Sequence, residues 1–142
     1  MALSQLIYTS TCTDAMTPEM AYLVSAKSVD ICKSLGLTGR VFANNKQALA
    51  MTEGPTDVVR RYYQAVASDS LVENILLHTD RVITAREFAK YSVWLNIETP
   101  INFTDTVRCL SEQTLPQAMP ANASIRVRMM VEAYLKPDLL QN

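Results

Sequence analysis

The side chains of this 142-residue chain best suited to covalent, metal or electron-transfer chemistry are three cysteines, one histidine and six tyrosines. Cys12, Cys32 and Cys109 are widely spaced and form no C-x-x-C pair, and His78 is the single imidazole. A structural zinc site needs about four such ligands, so no metal centre is expected. An odd, scattered set of cysteines is no disulfide framework either, and it fits a reducing cytoplasm. Cys32 falls on an apolar helical stretch and reads as a small buried hydrophobe. Asp14, Glu53 and Asp57 make no acid/base pair, because that work needs a positioned partner. Arg60-Arg61 and Arg126-x-Arg128 read as solvated helix faces. No catalytic residue is expected. Tyr8, a phenol set in an apolar strand, reads as a sheet tyrosine whose hydroxyl finds a hydrogen-bond partner when buried.

The rest of the composition narrows the field. The chain is 49% hydrophobic and 19% charged, enough for a real core, and thirteen basic residues against fourteen acidic ones give a net charge of −1. This balance leaves no electrostatic footprint for nucleic acid or an anionic membrane. No apolar run approaches the roughly 20 residues needed to span a bilayer. The opening Met-Ala-Leu-Ser-Gln-Leu lacks the basic and apolar regions of a secretory signal.

The elements that would position these residues follow from periodicity. Residues 3–10 read as a strand, with Leu6, Tyr8 and Ser10 on one face and Ile7 and Thr9 on the other. Thr17-Pro18-Glu19 starts a helix: hydroxyl cap, proline in the first turn, then an acid at the positive dipole end. Met20, Leu23, Val24, Lys27 and Ile31 recur at helical spacing, and Gly36 ends the run. Thr38 to Ala43 and Gln47 to Thr52 form a hairpin around Asn44-Asn45-Lys46, and Glu53-Gly54-Pro55 breaks it. Val58, Val59, Tyr62, Tyr63 and Val66 mark a second helix, in which the tyrosine pair is half core and half interface. Asn74 to His78 and Tyr91 to Ile97 are strands, with Val93 and Leu95 opposite Trp94. The order β-α-β-β-α-β-β predicts an α+β, ferredoxin-like sheet with two helices on one face. After Pro100, residues 105–113 and 124–135 look helical, stopped by Lys136-Pro137. The expected division is a domain over residues 1–98 and a two-helix extension over residues 99–142, packed on the sheet or on a neighbouring subunit.

Four segments in this order, Leu3 to Ser10 (L-x-x-L-I-Y-x-S), Leu35 to Gly39 (L-G-L-T-G), Glu53-Gly54 and Arg86-x-Phe88, resemble the BLUF family of flavin-binding blue-light sensors. The two-helix tail resembles the short, stand-alone members that carry no enzymatic output domain. The resemblance implies a FAD pocket over the sheet, at Tyr8, Ser28, Ile31, Cys32, Ala50, Tyr91 and Val93. In the family, a tyrosine at the Tyr8 position and a glutamine on the third strand bond each other and the flavin, and light rearranges those bonds. Here the glutamine position holds Ala50, which has no side-chain donor or acceptor. The positions of the family's flavin-gripping asparagines read Ile31 and Cys32. The basic segment before the fourth strand is Asp69-Ser70-Leu71-Val72-Glu73, and W-S-M becomes Tyr91-Ser92-Val93.

Every departure runs from polar grip to apolar filler. The expectation is therefore a degenerate BLUF-fold protein that holds no cofactor and acts through protein contacts. Its partners would be copies of itself, a BLUF homologue or a response-regulator-type protein. The alternative is a FAD-binding blue-light or redox sensor with an altered switch through Tyr8, Cys32 or Trp94. An acyl-phosphatase-like enzyme on this topology would need an arginine and an asparagine at its phosphate loop, and Thr11-Cys12-Thr13-Asp14 supplies neither.

Overall fold

The computed structural model describes residues 2–98 and 102–134. Its elements are β1 (Leu3–Cys12), α1 (Pro18–Ser34), β2 (Thr38–Ala43), β3 (Gln47–Pro55), α2 (Thr56–Ala67), β4 (Val72–Ile83), β5 (Tyr91–Leu95), β6 (Val107–Cys109), α3 (Leu115–Ala118) and α4 (Ile125–Tyr134). Six strands form one sheet in the order β4-β1-β3-β2-β5-β6. The β2–β3 and β1–β3 pairs are antiparallel, whereas β5 runs parallel to β2 and β6 parallel to β5. This is the α+β, ferredoxin-like architecture expected from the element order.

Alternation along the strands divides the core in two. One face of the sheet carries Leu6, Tyr8, Ala50, Tyr91, Val93 and Leu95, which pack with Val29 and Cys32 of α1 and Val59 of α2. The other face carries Ile7, Phe42, Leu49, Met51 and Trp94, covered by Leu110, Ala118 of α3 and Val127 and Val131 of α4. A sheet buried on both faces explains why every residue of β5 is buried.

Several local readings need correction. Several large apolar residues of α1 do not face the core: Leu23 is 62% exposed, Ile31 40% and Met20 38%, as is Leu35 at its C-cap, 43%. Its buried residues are Ala21, Ser25, Val29 and Cys32, a stripe of mostly small side chains. The helix does start where its cap says, with Met20 N–H donating to Thr17 Oγ1 at 3.2 Å. Residues 107–109, read as helical, form a strand instead. Val93 N–H donates to the Thr106 carbonyl at 2.8 Å and Leu110 N–H to the Leu95 carbonyl at 2.7 Å, which satisfies the outer edge of β5. Thr104 Oγ1 accepts from the amides of Thr106 and Val107, a local turn that competes with helix. The strand beginning near Asn74 runs on to Ile83, twelve residues in all. Its register against β1 shifts twice, and Asn74 takes a left-handed φ of 50°, which asparagine tolerates. The predicted helix over 124–135 is α4 through Tyr134; Leu135 and the Lys136-Pro137 stop lie outside the described residues.

Glu53-Gly54-Pro55 does not break the third strand, because Ser4 pairs with Gly54 and Gln5 with Glu53 across β1. The Glu53 carboxylate, fully buried, accepts from the amides of Glu87 at 3.0 Å and Phe88 at 3.1 Å and from Gln5 Nε2 at 2.9 Å. Glu87 in turn accepts from Gln5 Nε2 and, at 2.6 Å, from the Ser124 amide just before α4. Arg86, of the Arg86-x-Phe88 segment, donates to the Gly36 carbonyl and to Thr38 Oγ1, both at 2.9 Å. These segments fasten the loops around β3.

Candidate pocket between the two helices

Strand register puts one side chain from each of four strands in a row. Tyr8 of β1 pairs with Ala50 of β3, Ala50 pairs with Val41 of β2, and Val41 pairs with Val93 of β5. Because these residues share one face, the row forms the floor under α1 and α2. Ser25 and Ser28 of α1 and Tyr62 of α2 close over it, leaving a cavity of about 120 Å³. No Lys, Arg, His, Asp or Glu lines this cavity among the described residues.

The structure thus brings together five of the seven residues assigned to the pocket by resemblance: Tyr8, Ser28, Ala50, Tyr91 and Val93. Cys32 is fully buried beside them, within the same core cluster. Ile31 is the one that turns away, on the half-exposed outer side of α1. Tyr62, Ser25 and Val41 were not singled out for the pocket from sequence. Small residues repeating as Ala21, Ser25 and Cys32 on one helix face were the available signal.

Burial dominates the chemistry of the phenols and the thiol. Desolvation disfavours the charged form, so it pushes the Tyr8 hydroxyl far above the ordinary phenol range. The same cause raises Tyr62 and Tyr91. Cys32 is also raised by burial, opposed by hydrogen bonds with Tyr62 and Tyr91. Tyr62 further bonds Ser28. The Tyr8 hydroxyl has Thr52 as a side-chain neighbour, whose Oγ1 is buried without a hydrogen bond of good geometry. The Tyr63 ring meets Tyr8 edge-on, with centroids 4.9 Å apart. At neutral pH the cluster is uncharged: three phenols and a thiol that can exchange hydrogen bonds but cannot serve as anions.

Other sequence candidates lie elsewhere. His78 accepts or donates a 2.7 Å bond with Thr9 Oγ1 and stacks edge-on with Tyr134, on the opposite face of the sheet. Cys12 borders the cavity mouth, whereas Cys109 is exposed on β6. Arg60 pairs with Asp80 at 3.0 Å and Arg61 with Asp57 at 3.7 Å, both on the surface. No described group of His, Cys, Asp or Glu could hold a metal ion. No described helix is long and apolar enough to cross a membrane.

Comparison with solved structures finds the same fold. The dark-state structure of BlrB, a BLUF protein, shares 24% identity with a TM-score of 0.60, covering 68% of this chain and 73% of that one. The photo-activated state of BlsA shares 13% identity with a TM-score of 0.63, covering 99% of both. Klebsiella pneumoniae BlrP1, in a complex with calcium and cyclic di-GMP, shares 16% identity with a TM-score of 0.73. That match covers 95% of this chain but 34% of BlrP1, so the chain corresponds to about a third of that protein. No curated protein sequence matches significantly. The family described as "Sensors of blue-light using FAD" matches residues 3–94, two thirds of the chain and every strand of the pocket floor, and the chain belongs to the BLUF family.

Proposed function

We propose that this chain is a BLUF-fold signalling and interaction protein that works without flavin photochemistry and performs no enzymatic step. It acts by contact with other protein chains: copies of itself, a BLUF homologue or a response-regulator-type partner. The observation that carries this reading is Ala50 standing directly across from Tyr8. The position that would relay a hydrogen bond between phenol and flavin is a methyl group.

The remaining residues do not fit a flavin either. Its polar edge would meet Val93, Cys32 and Ala50, with Ile31 turned outward. Each neutral hydrogen bond lost forgoes about 0.5–1.5 kcal/mol, and each flavin atom buried unpaired costs about 1–3 kcal/mol. No cation lines the cavity to meet phosphate oxygens. Its volume of about 120 Å³ is well below the roughly 300–1,000 Å³ of pockets that hold ligands of cofactor size.

The outward stripe of α1 supports the contact role. Leu23 and Ile31 lie eight residues apart along one side of the helix, with Met20 beside them and Leu35 at the C-cap, all exposed. Large apolar side chains gathered on one surface mark contact sites. We read residues 1–98 as the BLUF unit and residues 99–142 as the extension, whose α3 and α4 cover the second face of the sheet, and α1 as a surface offered to partners. Three free cysteines suit a cytoplasmic setting.

The retained Tyr8 favours a second reading, a FAD-binding sensor with an altered switch. One experiment separates the two. Visible absorption of the purified protein is recorded after incubation with excess FAD, and released flavin is counted per chain. A colourless protein with flavin far below one per chain is expected; a yellow protein with one flavin per chain overturns the proposal. On the same samples, Leu23→Glu with Ile31→Glu is expected to lower the apparent mass in size-exclusion chromatography, and an unchanged monomeric mass in the parent would remove self-association from the proposal.

A further inference from the structure

The cavity under α1 and α2 is too small and too apolar for a flavin, yet it is not filled. We infer that it binds a small neutral molecule with one aromatic ring and one hydroxyl, phenol being the simplest. This rests on the flavin-free reading above.

Three observations define the ligand class. The first is size. About 120 Å³ approaches the roughly 150 Å³ of an apolar cavity that takes up benzene in another protein, and it suits one ring rather than three. The second is charge. With no ionisable acid or base other than phenols and a thiol along its wall, an ion entering the cavity would lose its hydration without gaining a partner. The third is a polar corner. Tyr8 lines the cavity and has Thr52 as a side-chain neighbour; Thr52 Oγ1 lies behind the wall, buried without a hydrogen-bond partner of good geometry. A ligand hydroxyl placed there can bond Tyr8 while Tyr8 turns to Thr52, so the orphaned atom and the ligand are satisfied together. Val41, Ala50, Val93 and Leu95 present only carbon to the ring.

Amide chemical shifts followed by NMR during titration of flavin-free protein test this. The probes are phenol, benzene and benzoate. Phenol is expected to saturate at one per chain with a dissociation constant on the order of a millimolar or below. Benzene is expected to bind at the same residues, and benzoate to leave them unmoved. Ala50→Leu and Ser25→Leu fill the cavity from opposite walls, and whichever of them keeps the parent's dispersed spectrum should weaken phenol by about tenfold or more. Tyr8→Phe should weaken phenol several-fold and leave benzene unchanged. Failure of phenol to saturate, binding of benzoate as tight as phenol, or wild-type affinity in a folded cavity-filling variant would each overturn the inference. Such a failure in colourless protein leaves the contact function standing, whereas bound flavin would remove the premise of both.

Discussion

Tyr8 faces a methyl group across β1 and β3, and Thr52 is a side-chain neighbour of its hydroxyl. A buried phenol in this setting is a proton the folded chain keeps and the unfolded chain gives up at its ordinary value near 10. Between that value and the raised one, the native state binds more protons than the unfolded state, so stability falls as pH rises. The contribution of Tyr8 is fully present below about pH 10 and is lost above it, at up to about 1.4 kcal/mol per pH unit. Urea midpoints measured from pH 9 to 11 should decline, and Tyr8→Phe should flatten the decline by close to one proton; an unaltered slope would mean that the hydroxyl is not desolvated. At this scale the sequence was readable in part. The identities at positions 8 and 50 are plain in the chain, and register then places them face to face. Tyr62 was hidden, because a tyrosine on an amphipathic stripe looks the same whether it fills a core or borders a cavity.

At the scale of elements, close backbone approach is the strictest demand. Gly39 is the second residue of β2, at φ 155°, and a Cβ there would lie 2.0 Å from the Met51 carbonyl oxygen. Backbone cannot yield as a side-chain tip can, so Gly39→Ala should destabilise the protein by on the order of 3 kcal/mol, read as a lowered denaturant midpoint with unchanged m. A midpoint within experimental scatter of the parent would show that β2 and β3 separate more easily than this geometry allows. The hairpin containing Gly39 was legible because turn asparagines and alternation are local signals. The orientation of α1 was not. Both of its sides carry apolar residues, and side-chain size argued for the wrong one; the small side faces the sheet and leaves a cavity beneath it. The short strand β6 was equally hidden. Three residues carry no periodicity, and they are a strand because the outer edge of β5 needs partners from elsewhere in the chain.

Over the whole molecule, the central sheet is covered twice, and the second cover comes from residues after position 100. A chain cut after residue 98 would bare Ile7, Phe42, Leu49, Met51 and Trp94 together. It would also strip Glu87 of the Ser124 amide and β5 of its outer neighbour. Such a fragment should aggregate, or bind ANS with lost near-UV circular dichroism. A monomeric fragment melting as sharply as the parent would show that the second layer is dispensable. The order of strands and the first helical layer could be anticipated, since each element announces itself within ten to fifteen residues of sequence. The second layer depends on which face a short, proline-bounded segment returns to, and nothing local encodes that.

Trp94, the single tryptophan of the chain, lies on the face away from the cavity. The Arg108 guanidinium sits 4.8 Å from its ring centroid, Arg40 5.9 Å, and its indole N–H donates to Ser92 Oγ at 3.2 Å. Arg40 also donates to the carbonyl of Ala118 in α3. Its backbone neighbour Val93 points the other way, into the cavity. The molecule therefore carries a fluorophore that looks at one layer only. Selective indole excitation follows the docking of the α3 layer and not the filling of the pocket, so an event on one side of that strand can be watched without a label.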